Sequence, residues 1–83
     1  MRWRMTLTEA KEGDWLVVTG VAGEEIMLAA LRFGIDEGAR IRLEKKIPAG
    51  PVIISRNQLE IALGRRLAQA IEVAPAAGED GRL

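Results

Sequence analysis

The chain has 83 residues, with 12 basic and 12 acidic side chains and a formal net charge of zero. That length allows one domain around one modest core, and an apolar content of 48% supplies it while 29% charged residues keep the surface polar. Cysteine and histidine are both absent, which excludes disulfide staples, thiolate zinc sites, Ser-His-Asp triads and histidine acid–base catalysis.

Residues 1–4 read as an N-terminal extension, and the domain proper runs from 5 to 74. Two arginines near the start have no long apolar run behind them, so the N-terminus does not read as a signal peptide. With no run of about 18 apolar residues either, a cytoplasmic protein is expected. Leu7 is the first candidate core residue. Lys11-Glu12-Gly13-Asp14 is a turn cluster that hands over to a strand at 15–21, rich in Val and Trp. Trp15, Val17 and Thr19 fall on one face and Leu16, Val18 and Gly20 on the other, a pattern that predicts cover on both sides.

A helix follows over 24–33. Glu24 and Glu25 occupy its first turn, where the helix dipole favours negative charge. Ile26, Ala29, Ala30 and Phe33 form one contiguous face, read as the core stripe. Met27 and Leu31, four apart, flank that stripe, and Leu28 lies opposite, between Glu24 and Arg32. The helix thus carries more apolar surface than one small core needs. Met27, Leu28 and Leu31 are therefore candidate contact residues for a partner.

Gly34 stands where a left-handed residue ends a helix, and Ile35 can fold back on the helix end. Asp36-Glu37-Gly38 turns the chain into a strand over 39–47. Ile41, Leu43 and Ile47 are expected to face inward and Arg40, Arg42, Glu44 and Lys46 outward; Lys45 breaks the inward set, as at a bend. Pro48-Ala49-Gly50-Pro51 is a stiff loop. A short strand over 52–55 and a return over 59–63 flank a tight turn in which Asn57 is the expected positive-φ residue. Leu59, Ile61 and Leu63 are assigned inward. Residues 64–69 suit a single helical turn, 70–73 a closing strand, and 75–83 a flexible tail. About five short strands with these turn signals predict a mostly β fold, a small barrel.

Taken together, MTLTEAKEGD, LRFGIDEG, ARIRLEKKIPAGPVII and LEIALGRRLAQAIEV resemble, in order and spacing, the FeoA family of small ferrous iron transport domains. The resemblance covers residues 5–73. Phe33 and Glu37 stand where the family often has leucine and proline, and Asn57-Gln58 where it often has a glycine. The resemblance implies an SH3-like barrel, with the helix inserted after the first strand and the short helical turn before the last. It also implies a cytosolic accessory to the membrane GTPase transporter FeoB, working by protein contact and without a cofactor. The same domain occurs at the C-terminus of iron-dependent repressors. On this reading Gly34 and Gly38 shape the corner of the inserted helix, and Arg65 and Arg66 are available to acidic groups on the partner.

Three further readings start from the residues themselves. Residues 9–37 are mainly acidic and 40–66 mainly basic, so the domain is either dipolar and steered toward a charged partner or balanced by interdigitation. Arg40, Arg42, Lys45, Lys46 and Arg56 could contact phosphates, but zero net charge and few aromatics speak against nucleic acid. The acidic pairs Asp36-Glu37 and Glu24-Glu25 could meet a hard cation weakly, though turn and helix-start roles explain them. An enzyme is not expected, since the spacing of Gly34 and Gly38 is turn chemistry with no Lys-Ser/Thr after it. The leftover apolar helix face and the strand edges leave a homo-oligomer open.

Overall fold

The computed structural model describes residues 5–76. The reading of 1–4 as an extension falls outside them, as does that of 75–83 as a flexible tail from residue 77 onward; Pro75 itself ends β6. The elements are β1 (Met5–Thr6), β2 (Trp15–Val21), α1 (Glu24–Phe33), β3 (Arg40–Lys46), β4 (Val52–Arg56), β5 (Leu59–Leu63), α2 (Arg65–Ala70) and β6 (Ile71–Pro75). One antiparallel sheet carries all six strands, in the order β1-β6-β2-β3-β4-β5. The mostly β, SH3-like architecture is as expected, with one strand more than the pattern shows. β1 is only two residues long, too short for any alternation, and it exists because Met5 and Thr6 pair with Val73 and Glu72. The closing strand runs through Pro75, two residues past its expected end, and the Ala76 N–H donates to the Trp15 carbonyl.

Two irregularities bend the sheet. The β2–β6 register shifts between Val18 and Gly20, and the β3–β4 register between Leu43 and Lys45. An extra residue on one strand sharpens local twist, so the sheet curls around its apolar face. Lys45 is the residue that breaks the inward alternation of β3, and the bend falls there as expected.

The core is built by alternation. Leu16 and Val18 of β2, Ile41 and Leu43 of β3, Val52 and Ile54 of β4, and Ile71 and Val73 of β6 are fully buried. Several assigned faces differ from expectation. The second face of β2 is covered only in part: Trp15 and Val17 are half-buried and Thr19 is exposed. Ile47 is exposed because it lies past the last residue of β3, where the chain has left the core. Leu59 is 63% exposed, since it sits beside the hairpin turn beyond the core's rim. On α1 only Ala30 is buried; Ile26 and Ala29 are half-buried and Phe33 is exposed. Just past the helix, Ile35 is completely buried.

Polar ties hold the turns. The Lys46 ammonium donates to the carbonyls of Thr8 and Ala10, and the Lys46 N–H to a carboxylate oxygen of Glu12. One residue of β3 thereby anchors the segment between β1 and β2. The β4–β5 turn has Asn57 at φ 52° and Gln58 at φ 69°, both left-handed, as a two-residue hairpin requires. Gln58 bears a strain there that glycine would not, so Gln58→Gly should stabilise the fold by about 0.5–1 kcal/mol. Gly38, at φ 92°, has open space around a would-be Cβ but the wrong backbone for one. Gly38→Ala should therefore cost about 1–2 kcal/mol. Urea unfolding of the two variants, with shifts of opposite sign, checks both.

Candidate functional site

The corner after α1 is set by backbone hydrogen bonds. Gly34, left-handed at φ 74°, donates to the Leu31 carbonyl at 3.1 Å, and Ile35 donates to the Ala30 carbonyl at 2.9 Å. This is the pattern that satisfies the last carbonyls of a helix. Gly38 then donates to the Val18 carbonyl and Val18 to that of Ala39, both at 2.8 Å. The turn is thereby stitched to β2, and α1 is held against the outside of the barrel by its C-terminal end.

Held in that way, α1 turns a continuous apolar surface outward. Met27 is 44% exposed, Leu28 63% and Leu31 50%. Met27 and Leu31 also form one wall of a cleft of about 350 Å³, closed by Gly20, Val21, Asp36 and Glu37. A second cleft, of about 330 Å³, opens at the other side of the helix end, between Phe33-Gly34 and the β4–β5 hairpin residues Arg56, Asn57, Leu59 and Ile61. Phe33 and Leu59 therefore belong to the surface. Sequence reasoning missed them because both fit an inward pattern. For Phe33 the available signal was Ile35, an apolar residue that Gly34 lets fold back on the helix end.

The two arginines of α2 part company. Arg65 is half-buried; its Nε donates to the Gly50 carbonyl at 3.1 Å and its Nη2 to that of Ile47 at 3.0 Å. It clips the β3–β4 loop, where Ala49 holds φ 55°. Arg66 is exposed and lines an open depression with Glu24, Glu25 and Gln69 at the start of α1. Met27, Leu28 and Leu31 are thus brought together, Arg66 lies at the opposite end of the same helix, and Arg65 faces the loop.

The basic residues of β3 and β4 do not form one open cationic track. The guanidiniums of Arg40 and Arg42 lie 5.9 and 5.8 Å from the Trp15 ring centre, within cation–π range. Glu44 sits beside them, 3.5 Å from Arg42, and accepts a 2.6 Å hydrogen bond from Ser55. Lys46 is committed to the backbone ties already described. Among the described residues, no three carboxylates converge as a metal site, so Glu24-Glu25 and Asp36-Glu37 remain two separate pairs.

One helix set between β2 and β3 and a short one before β6, on a single curled antiparallel sheet, define the class of small SH3-like domains. Comparison with known proteins makes the assignment particular. The FeoA domain model matches residues 5–75. A candidate Fe(2+) transport protein A of Methanocaldococcus jannaschii is 38% identical over 80 residues, covering 93% of this chain and 96% of that one. The crystal structure of an iron uptake regulatory protein, FeoA, superposes with a TM-score of 0.77 at 28% identity, covering 86% of this chain and 94% of the other. The FeoA protein of Chlorobium tepidum has a TM-score of 0.76 at 31% identity, with 94% and 76% covered. A manganese-dependent transcriptional repressor shares the fold over 41% of its own length, with a TM-score of 0.78 at 24% identity. The chain belongs to the FeoA family of ferrous iron transport proteins, which are accessory proteins and not enzymes.

The clip formed by Arg65 is testable apart from any partner. Arg65→Ala should lower stability by about 1–2 kcal/mol, the scale of hydrogen bonds from a charged donor. Arg65→Lys should recover less than half of that, since an ammonium lacks the guanidinium fork that reaches two carbonyls. Chemical unfolding midpoints of the three proteins give the measurement.

Proposed function

We propose that this chain is a cytosolic accessory of ferrous iron uptake that binds the cytosolic part of a FeoB-type membrane GTPase transporter through the outer face of α1. The observation that carries the reading is the exposure of Met27, Leu28 and Leu31 side by side on a helix whose inward side contributes Ala30 to an already filled core. Contiguous exposed apolar side chains rimmed by polar ones mark contact surfaces. Here the rim is acidic: Glu24 and Glu25 at the start of the helix, Asp36 and Glu37 across the cleft. It favours a partner segment with apolar anchors and basic flanks. Arg32, four residues beyond Leu28, and Arg66, beside Glu24 and Glu25, are cations at that rim.

Family membership supports the transport context. Among the described residues, no helix is long and apolar enough to cross a membrane, so a role through contact with a membrane protein fits better than a role as one. Leu28 is the most exposed of the three helix side chains and should act as the central anchor.

Leu28→Glu should leave the circular dichroism spectrum and unfolding midpoint close to wild type, because a residue so exposed does little for the core. The same change should weaken capture of the transporter's cytosolic part at least about tenfold, equivalent to about 1.4 kcal/mol. A folded Leu28→Glu protein that retains the partner at wild-type affinity overturns the assignment of this face.

A further inference from the structure

Among the described residues, the sheet has two edges that differ in kind. β1, at one edge, is two residues long. β5, at the other, runs five residues without lysine or proline and keeps an unbroken register with β4. Short length, lysines, prolines and bulges are the usual means of blunting an exposed edge. β5 has none of them.

The hairpin fixes which main-chain groups of β5 face outward. A two-residue loop with both central residues at positive φ closes on a hydrogen-bonded pair, here Arg56 and Leu59. Bonded pairs then alternate along the ladder, so Ile54 with Ile61 and Val52 with Leu63 are bonded as well. The N–H and C=O groups of Glu60 and Ala62 point away from β4, toward the open side. Both residues are exposed.

We propose that a second copy of this chain pairs with β5, antiparallel, about a two-fold axis at Ile61. In that register Glu60 of each copy lies opposite Ala62 of the other, and the two pairs exchange four main-chain hydrogen bonds. Leu59, 63% exposed, comes to lie opposite Leu63 of the second copy. Charge selects this register. Glu60 is the one ionisable residue of β5 and meets a methyl group. An axis at Glu60 would oppose two carboxylates, and like charges directly opposite destabilise a strand pair. An axis at Ala62 would leave Leu59 facing no residue of the other strand. The self-pairing that this sequence allows without repulsion is also the one that covers its most exposed strand leucine.

The inference goes beyond the α1 reading and does not depend on it. Light scattering or sedimentation equilibrium of the full chain, from about 10 μM to about 1 mM, the range of weak association, should show the mass rising toward twice the monomer. Ala62→Pro removes an outward N–H while sparing the β4 ladder, and should weaken the dimer at least about tenfold. Leu59→Lys puts a lysine on the edge with the backbone unaltered, and should do the same if the proline variant does not fold. Leu28→Glu, on α1, should leave the dimer intact. A wild-type protein that stays monomeric throughout that range overturns the proposal. So does a dimer that survives both β5 substitutions and is lost in Leu28→Glu.

Discussion

Ile35 is the residue on which the arrangement turns. It lies one position past a left-handed glycine, donates back to the helix through its N–H, and fills the core with its side chain. With Ile35 buried beside it in the core, α1 contributes one small fully buried side chain, Ala30. The helix is consequently fastened by its end and not by a broad stripe. Its outward apolar surface follows from that fastening, as does the displacement of Phe33 to the cleft beside the hairpin. A strong N-cap is missing too: Gly23 provides no side-chain hydrogen bond at the helix start, leaving Glu24 and Glu25 to favour that end by charge.

Cationic side chains take over part of the work that disulfides do in other small domains. The Lys46 ammonium ties residues 8 and 10 to β3, and Arg65 ties the β3–β4 loop to α2. Each joins segments distant in sequence through main-chain carbonyls, which are acceptors at every pH at which the protein folds. Such ties lean on geometry more than on charge pairing, and they are therefore less sensitive to salt than surface ion pairs.

Much of the architecture was legible because strand alternation and glycine corners are local signals. Leu16, Val18, Ile41 and Leu43 alternate without interruption and are all buried. Lys45 marked the bend before any register was known, and Asn57 marked the turn. What failed to show were consequences of competition and of the chain's ends. Phe33 obeys helical spacing, yet is exposed while Ile35, outside the helix, is buried. Leu59 and Ile47 obey strand spacing, yet stand where their strands have run past the core. β1 carries no pattern of its own and is defined by its neighbour. At the candidate site, Met27, Leu28 and Leu31 were readable as surplus apolar surface because a helical wheel needs only neighbours in sequence. The loop clip formed by Arg65 was not readable, since nothing local links an arginine in α2 to carbonyls 15 and 18 residues earlier.

The position of β6 has an implication for how the protein is made. It is the last strand of the described residues, yet it lies inside the sheet, between β1 and β2. Neither of those strands can complete its hydrogen bonding until residues 71–75 have left the ribosome. The first strands synthesised must therefore wait, unpaired on one side, for nearly the whole domain to emerge. Contacts so distant in sequence are slow to close, and here the delay falls on β2, whose Leu16 and Val18 are central to the core. Folding of this domain is in that sense sealed by β6.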